Sequence, residues 1–122
     1  MEKHFQLTQA DRKLLEIVWK AEPVTSPDLT RIALDELGWK RTTTYTVLKR
    51  LCEKKMLKSE DTIVTSLIDQ EKFQEIESQK VLDQSFEGSL PKFVASFLSG
   101  RKISDKEISE LKRLIDEYRK DL

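Results

Sequence analysis

The sequence predicts a mainly α-helical protein with one small β-hairpin, divided into residues 1–69 and residues 70–122. Three observations favour this class. Apolar residues recur at spacings of three and four along most of the chain. Helix-start patterns, in which Ser or Thr stands three positions before Asp or Glu, precede several of these stretches. One stretch, residues 57–68, departs from this periodicity and has β-branched residues around a polar turn.

Composition restricts the class of protein further. The chain has 122 residues, of which 36% are charged, as is typical of a helical protein with much solvated surface. It contains no run of about 18 apolar residues and no apolar N-terminal run, so we expect neither a membrane-inserted segment nor a signal peptide. Its single cysteine, Cys52, excludes an internal disulfide and a cysteine-cluster metal site. A cytoplasmic protein is expected.

The first helix is predicted from about residue 8 to residue 20. Residues 8–11 (TQAD) have the form of a capping box. Pro23 limits the helix, because the residue before proline disfavours the helical conformation. Apolar residues at helical spacing form its stripe: Leu14, Leu15, Val18 and Trp19.

The second helix begins near Thr25 and ends at Gly38. Thr25 supplies a capping hydroxyl, and Pro27 stands near the first helical position. Gly38 suits the left-handed conformation that commonly terminates a helix. Its apolar stripe consists of Leu29, Ile32, Ala33 and Leu37.

A third helix, from about 41 to 55, has two dissimilar faces. Val47, Leu48 and Leu51 share a face that can pack on the first two helices. The opposite face carries short hydroxyls, an aromatic ring and a base, which suit contact with base edges and phosphates. Its members are Thr42, Tyr45, Thr46, Lys49 and Glu53.

Positive charge is concentrated around this helix. The whole chain has a formal net charge of zero, yet residues 40–58 contain seven basic side chains and one acidic one, a net of +6. A solvated helix face would explain a charge run by itself. Contact with a polyanion also explains it, together with the hydroxyl-rich face.

The stretch after the third helix predicts a short two-stranded hairpin within residues 57–68. Three helices followed by a hairpin form the winged-helix plan, a helix-turn-helix variant whose second motif helix enters the DNA major groove. The hairpin turn carries Glu60 and Asp61, so we expect electrostatic repulsion between this wing and phosphate. Lys40 stands where a capping hydroxyl would begin the third helix.

Residues 38–55 (GWKRTTTYTVLKRLCEKK) resemble the recognition-helix motif of the penicillinase and methicillin-resistance repressor family, which includes copper-responsive repressors. Residues 14–29 (LLEIVWKAEPVTSPDL) and 66–74 (SLIDQEKFQ) are also similar to that family. The resemblance implies a homodimeric winged-helix repressor that binds an inverted-repeat operator in double-stranded DNA, with a link to antibiotic resistance. It implies base contacts by Thr42, Thr43, Tyr45 and Thr46, and phosphate contacts by Lys49 and Arg50. Arg41, at the start of the same helix, is a further predicted DNA contact, because Lys and Arg suit phosphates. For Thr43, packing at the helix start is the alternative.

The chain departs from the copper-responsive relatives, because it has no C-terminal cysteine cluster. Copper sensing by that route is excluded. No cofactor or metal is expected.

Residues 70–122 predict three amphipathic helices: one to about residue 87, one from Ser89 to Gly100, and one opened by a Ser104–Glu107 capping pattern. The last helix has a heptad-like seam. These helices either fold back on the first domain or pair with a second chain, and we favour pairing because a two-fold protein matches a symmetric operator. The predicted dimerisation residues are Phe93, Phe97, Ile108, Leu111, Ile115 and Tyr118.

The resemblance also implies a membrane sensor protease as a partner. The last helix, aligned with that of the family, places the matching scissile bond between Ser96 and Phe97. Phe97 as an ordinary core aromatic, one turn after Phe93, is the alternative.

An enzyme is not expected. His4 is the one histidine and lies near the N-terminus, so no histidine-based triad is supported. Cys52 suits a packing position better than a nucleophile. The rival function is a dimeric winged-helix interaction module, an antirepressor or adaptor without operator binding, which the acidic wing and the zero net charge favour.

Overall fold

The computed structural model describes residues 6–122, and His4 lies outside them. The described residues form helices and short strands in the order predicted, with one additional strand. The elements are α1 (Gln9–Ala21), β1 (Val24–Thr25), α2 (Ser26–Leu37), α3 (Arg41–Glu53), β2 (Leu57–Glu60), β3 (Ile63–Ser66), α4 (Gln70–Ser85), α5 (Leu90–Ser99) and α6 (Asp105–Lys120).

The predicted helix caps of α1 and α2 are confirmed. Thr8 and Asp11 form a reciprocal capping box, in which each backbone N–H donates to the other side chain at 3.1 Å. The Thr25 hydroxyl accepts a hydrogen bond from the Asp28 N–H, also at 3.1 Å. Gly38 ends α2 with φ of 69°, the left-handed conformation that glycine adopts without steric cost.

The first compact unit extends to Lys80 and contains the hydrophobic core. The helices α1, α2 and α3 converge on it, and β2 and β3 cover one side. Because the core lies beneath α3, the buried side of that helix is fixed and its other side faces outward. The fully buried large apolar side chains are Leu14, Leu15, Val18, Leu29, Leu51, Leu57 and Val64.

The predicted hairpin is part of a three-stranded antiparallel sheet of order β1-β3-β2. Val64, in the central strand, is opposite Val24 on one side and Ser59 on the other. Strand β1 was not predicted, because two residues are too short to show a strand periodicity. The Glu22 carboxylate accepts hydrogen bonds from the Ser66 N–H at 2.8 Å and from its hydroxyl, which joins the end of α1 to β3. This arrangement of helices and sheet is the winged-helix fold.

Helix α4 begins against α1. The Trp19 indole N–H donates to the Ile68 carbonyl at 2.9 Å, and the Trp19 ring packs on Phe73 with centroids 5.3 Å apart. Arg12 forms an ion pair with Glu77 further along α4. These contacts explain why the compact unit extends to Lys80, beyond the boundary predicted at residue 69.

The second unit, Val81–Leu122, contains the end of α4 together with α5 and α6. The Phe93 ring packs edge-on against Phe86 at 5.3 Å and lies 6.1 Å from Phe97. Ser104 begins α6 by accepting a hydrogen bond from the Glu107 N–H at 3.1 Å. No residue of α5 or α6 is buried, so these helices present most of their apolar side chains to the surface.

Candidate nucleic-acid interface

Helix α3 presents one buried side and one open side. Thr44, Val47, Leu48 and Leu51 are buried, as the spacing predicted for the three apolar residues. On the open side, five predicted contact residues are exposed: Arg41, Thr42, Thr43, Thr46 and Lys49. Thr43 is therefore not a packing residue, and it is its neighbour Thr44 that enters the core.

One threonine hydroxyl on this face, that of Thr46, forms a hydrogen bond within the helix. The Thr46 hydroxyl donates to the Thr42 carbonyl one turn earlier, at 2.9 Å. A hydroxyl has one proton and two lone pairs, so the Thr46 oxygen can still accept hydrogen bonds from outside. In this conformation Thr46 is an acceptor on the open face.

Tyr45 is half-buried and held in place by two neighbours. The guanidinium carbon of Arg41 lies 5.6 Å from the ring centroid, within cation–π range. Hydrogen bonding with the Ser26 hydroxyl, and secondarily the Arg41 guanidinium, holds the pKa of Tyr45 below its usual range. The Arg41 guanidinium and the Tyr45 ring lie together at the start of α3 and form one preorganised edge of the open face.

Arg50 occupies a different environment from Lys49. Its Nε lies 2.8 Å from Asp11 Oδ1 and its terminal nitrogen lies 2.7 Å from the same oxygen. Lys54 Nζ lies 2.8 Å from Asp11 Oδ2 and 2.6 Å from the Gln6 carbonyl. Two cations of the positive segment, residues 40–58, are therefore paired with a carboxylate of α1 that is fully buried.

The pKa of Asp11 reflects this pairing. Burial alone would raise it, but hydrogen bonds from Lys54, Arg50 and the Thr8 backbone outweigh burial and lower the pKa to about 2. Asp11 is therefore ionised at neutral pH. From the sequence, Asp11 is recognisable only as part of a capping box, because Arg50 and Lys54 lie 39 and 43 positions away along the chain.

The wing turn is acidic and attached to α2. The Ser26 N–H donates to the Thr62 carbonyl at 2.8 Å, which joins the turn to the start of α2. Lys58 Nζ lies 3.3 Å from Glu60 Oε2 along the same strand, β2, so the charge of Lys58 is partly compensated. Asp61 and Thr62 both have positive φ, the conformation of a tight two-residue hairpin turn.

Cys52 packs beside the core at the flank of α3. It is half-buried, and burial, followed by the nearby Glu53 charge, raises the pKa of its thiol. A raised pKa leaves the thiol protonated at neutral pH, which suits a packing residue better than a nucleophile.

The predicted dimerisation residues fall into two groups in the second unit. Phe93, Phe97 and Leu111 line an apolar groove between α5 and α6, together with Leu114 and five other residues. The groove does not include Ile115 or Tyr118, which are exposed further along α6. Ile108 is exposed as well.

The predicted scissile bond lies within α5. Ser96 and Phe97 are both exposed, and the Arg101 guanidinium carbon lies 5.0 Å from the Phe97 ring centroid. Phe97 also lies close to Phe93 on the same helix. The bond is thus in regular helix, one turn before the helix ends at Gly100.

Within residues 6–122 no helix has the length and apolar character needed to cross a membrane. The same residues contain no cluster of three His, Cys, Asp or Glu side chains arranged to hold a metal ion.

The winged-helix fold and the exposed hydroxyl-bearing face of α3 define a DNA-binding transcription regulator. A family model described as penicillinase repressor matches residues 7–117, so the chain belongs to the penicillinase repressor family and is a transcriptional repressor. The penicillinase repressor of Bacillus licheniformis is 25% identical over 123 residues, which cover 98% of this chain and 96% of that protein.

Proposed function

We propose that the protein is a homodimeric repressor that binds an inverted-repeat operator through α3 and releases it after proteolysis in α5. The observation that carries operator binding is the open face of α3, where exposed threonines and Lys49 stand beside the preorganised Arg41–Tyr45 edge. The rigid core beneath α3 holds this face in one orientation.

Each side chain of the face has a role suited to its chemistry. Thr42, Thr43 and Thr46 approach base edges in the major groove, where short hydroxyls reach donors and acceptors. Because the Thr46 proton is held by the Thr42 carbonyl, Thr46 accepts, which favours the amino groups of adenine or cytosine. Tyr45 contacts bases with its ring, and Arg41 and Lys49 contact phosphates. Arg50, the third predicted phosphate contact, has its guanidinium paired with Asp11 and is therefore left out of this set.

Dimerisation through the second unit is supported by its exposed apolar surface. Leu111, Ile115 and Tyr118 are exposed at heptad-like spacing on α6, and the groove beside α5 is lined mainly by apolar side chains. A helical pair without a buried residue has little core of its own, so burial against a second copy would stabilise it. Two copies would present two α3 helices to two operator half-sites.

Relief of repression follows if the second unit is cut. Cleavage between Ser96 and Phe97 would separate α6 from the DNA-binding unit and remove the apolar seam from the dimer. The protease requires an extended substrate, so α5 must open locally; a ten-residue helix with no buried residue has little tertiary packing to resist opening.

The operator is tested by fluorescence anisotropy with DNA from upstream of the gene that encodes this chain, at two salt concentrations. We expect tight, salt-sensitive binding to this DNA and much weaker binding to a scrambled duplex. Tyr45→Ala should reduce the selectivity at least about fivefold, the effect of losing one contact worth about 1–3 kcal/mol. Tyr45→Phe, which keeps the ring over Arg41, is the conservative partner variant.

Equal and weak binding to both duplexes, and to fragments selected from the whole genome, would contradict the proposal. That outcome would favour the interaction module, whose supporting observation is the acidic wing turn formed by Glu60 and Asp61. A titration against protein partners would then replace the one against DNA.

Proteolytic relief is tested with a membrane protease encoded beside this gene. Incubation should produce an N-terminal fragment that ends at Ser96, and operator binding should fall in parallel with cleavage. A chain that stays intact, or one that is cut while operator binding persists, would refute this part of the proposal. In cells that contain this chain and that protease, adding a β-lactam and following cleavage tests whether such an antibiotic is the inducing signal.

A further inference from the structure

A buried carboxylate from α1 pairs with two cations that border the DNA-facing side of α3. Asp11 is fully buried, and its two oxygens lie 2.7–2.8 Å from nitrogens of Arg50 and Lys54. Arg50 also approaches the Thr8 hydroxyl at 3.4 Å, and Lys54 donates to the Gln6 carbonyl. The side chains of Arg50 and Lys54 keep 36% and 31% of their surface exposed, so both are at the edge of the protein.

We propose that Asp11 is a specificity-determining positioning residue that withholds Arg50 and Lys54 from DNA phosphates and fixes the orientation of α3 against α1. This inference rests on the proposed DNA-binding function. The DNA contacts of the positive segment are then made by cations that do not face Asp11, among them the exposed Arg41 and Lys49.

Non-specific affinity comes almost entirely from phosphate contacts, whereas discrimination comes from base contacts. Two additional cations free to reach phosphates would therefore strengthen binding to every sequence. The buried carboxylate opposes this, because a cation that leaves Asp11 also leaves a buried charge without its partner. By restraining two cations, Asp11 lowers non-specific affinity while the base-reading face of α3 is unchanged.

The same contacts orient the recognition helix. Asp11 is fixed in α1 by the capping box with Thr8, and its two partners lie in the last turn of α3 and just beyond it. The distance between the start of α1 and the end of α3 is therefore set by charge-assisted hydrogen bonds, which are shorter and stronger than neutral ones. A loosened α3 would bring Thr42 and Thr46 to the bases less precisely.

Asp11→Asn is the direct test, because asparagine has the same shape and can still accept the capping hydrogen bond. With a random-sequence duplex, we expect the variant to bind about tenfold more tightly than the wild type at 0.1 M salt. The slope of log K against log salt should steepen by about 1 to 2, since each additional phosphate contact contributes about 0.9. Operator affinity should not increase by the same factor, so the ratio of specific to non-specific affinity should fall.

Glu16→Gln is the matched control, since it removes one negative charge from an exposed position of the same helix. It should leave the salt slope of random-DNA binding within about 0.3 of the wild type, because a single contact changes it by about 0.9. If Asp11→Asn and Glu16→Gln change the slope equally, net charge explains the effect and the inference is overturned. An unchanged slope in a folded Asp11→Asn protein also overturns it.

A second pair of variants covers the case in which Asp11→Asn does not fold. In the otherwise wild-type protein, Lys49→Gln should reduce the magnitude of the salt slope by about 0.9, whereas Lys54→Gln should leave it unchanged. Equal reductions would show that Lys54 reaches phosphate despite Asp11. These slopes use random DNA, so they decide the inference even if the wild type shows no operator preference and the proposed operator function fails.

Discussion

Thr44 is a polar side chain that is buried beside the apolar core of the first unit. It is fully buried on the inner side of α3, and within the described residues its hydroxyl oxygen has no hydrogen-bond partner. A buried hydroxyl without a partner costs about 1–3 kcal/mol. Valine has the same branched shape without the hydroxyl, so Thr44→Val should raise the free energy of unfolding by about 1 kcal/mol.

Urea unfolding followed by circular dichroism measures this change. Thr43→Val is the control, because it makes the same chemical change one position earlier at an exposed site and should alter stability by less than about 0.5 kcal/mol. A destabilised Thr44→Val protein would mean that the hydroxyl has a partner in solution.

Asp11 makes stability depend on pH in the acid range. Its folded pKa is about 2, below the ordinary value of 3.8, so the folded state favours the ionised form. The stabilisation is complete above the unfolded pKa and is lost as the pH falls through the folded one. The shift corresponds to about 2 kcal/mol.

The measurement compares the wild type with Asp11→Asn, which does not titrate at this position. The stability advantage of the wild type should shrink by about 2 kcal/mol between pH 6 and pH 2. Other carboxylates titrate equally in both proteins, so the difference isolates Asp11. A constant difference across this range would show that Arg50 and Lys54 do not stabilise the ionised form in solution.

At the residue scale, the sequence predicted what depends on local spacing. Thr42, Thr46 and Lys49 lie on the exposed side and Val47, Leu48 and Leu51 on the buried side because a helical period relates them. The contacts of Asp11 could not be predicted in this way, because they join α1 to the end of α3. Two side chains 39 positions apart leave no periodic signal in one sequence.

Among the elements, the wing turn contains the clearest local strain. Thr62 has a φ of 66°, a region that β-branched residues rarely adopt, at a cost of about 1–2 kcal/mol. Glycine adopts it freely, and the turn type favours glycine at this second position. Thr62→Gly keeps the carbonyl that accepts from Ser26 and should stabilise the protein by about 1 kcal/mol.

Thr65→Gly gives the control with the opposite sign. Thr65 lies within β3 and is paired with Lys58, where glycine loses backbone entropy and cross-strand packing. Thermal melts of both variants measure the two changes, and Thr65→Gly should be destabilised by about 1 kcal/mol. If both variants lose stability, the turn does not store the strain that the backbone angles indicate.

Helix boundaries could be predicted from the sequence where a capping residue defines them. The start of α1 is marked by Thr8, and the start and end of α2 by Thr25 and Gly38, because capping hydrogen bonds and left-handed backbone angles favour these residue types. Helix α3 ends two residues before the prediction, and Lys55 adopts a left-handed φ of 63° that its residue type does not signal. Strand β1 depends on pairing with β3, so only the folded chain reveals it.

On the scale of the whole molecule, buried surface is divided unequally between the two units. Every residue of the hydrophobic core belongs to the first unit, whereas α5 and α6 have no buried residue. The first unit has a core of its own. The second keeps large apolar side chains at its surface, and these are the side chains that the proposed dimer would bury.

Ile115→Glu tests this association without disturbing the monomer. Ile115 is 61% exposed, so glutamate at this position costs the isolated chain little packing, yet it would place a charge in the seam between two copies. Two-fold symmetry introduces the change twice. At about 1.5–3 kcal/mol for each lost apolar contact, the dimer dissociation constant should rise at least about 100-fold.

Sedimentation equilibrium should show a wild-type mass near twice the 14.3 kDa of one chain, and for Ile115→Glu a mass that decreases on dilution. Leu34→Glu is the control, because Leu34 is 58% exposed on α2 and its replacement should leave the mass unchanged. In Ile115→Glu, the loss of dimerisation should also lower operator affinity, since a single α3 engages only one half-site. A dimeric Ile115→Glu protein would place the interface elsewhere, and a monomeric wild type would mean that the exposed apolar surface of α6 binds a different partner.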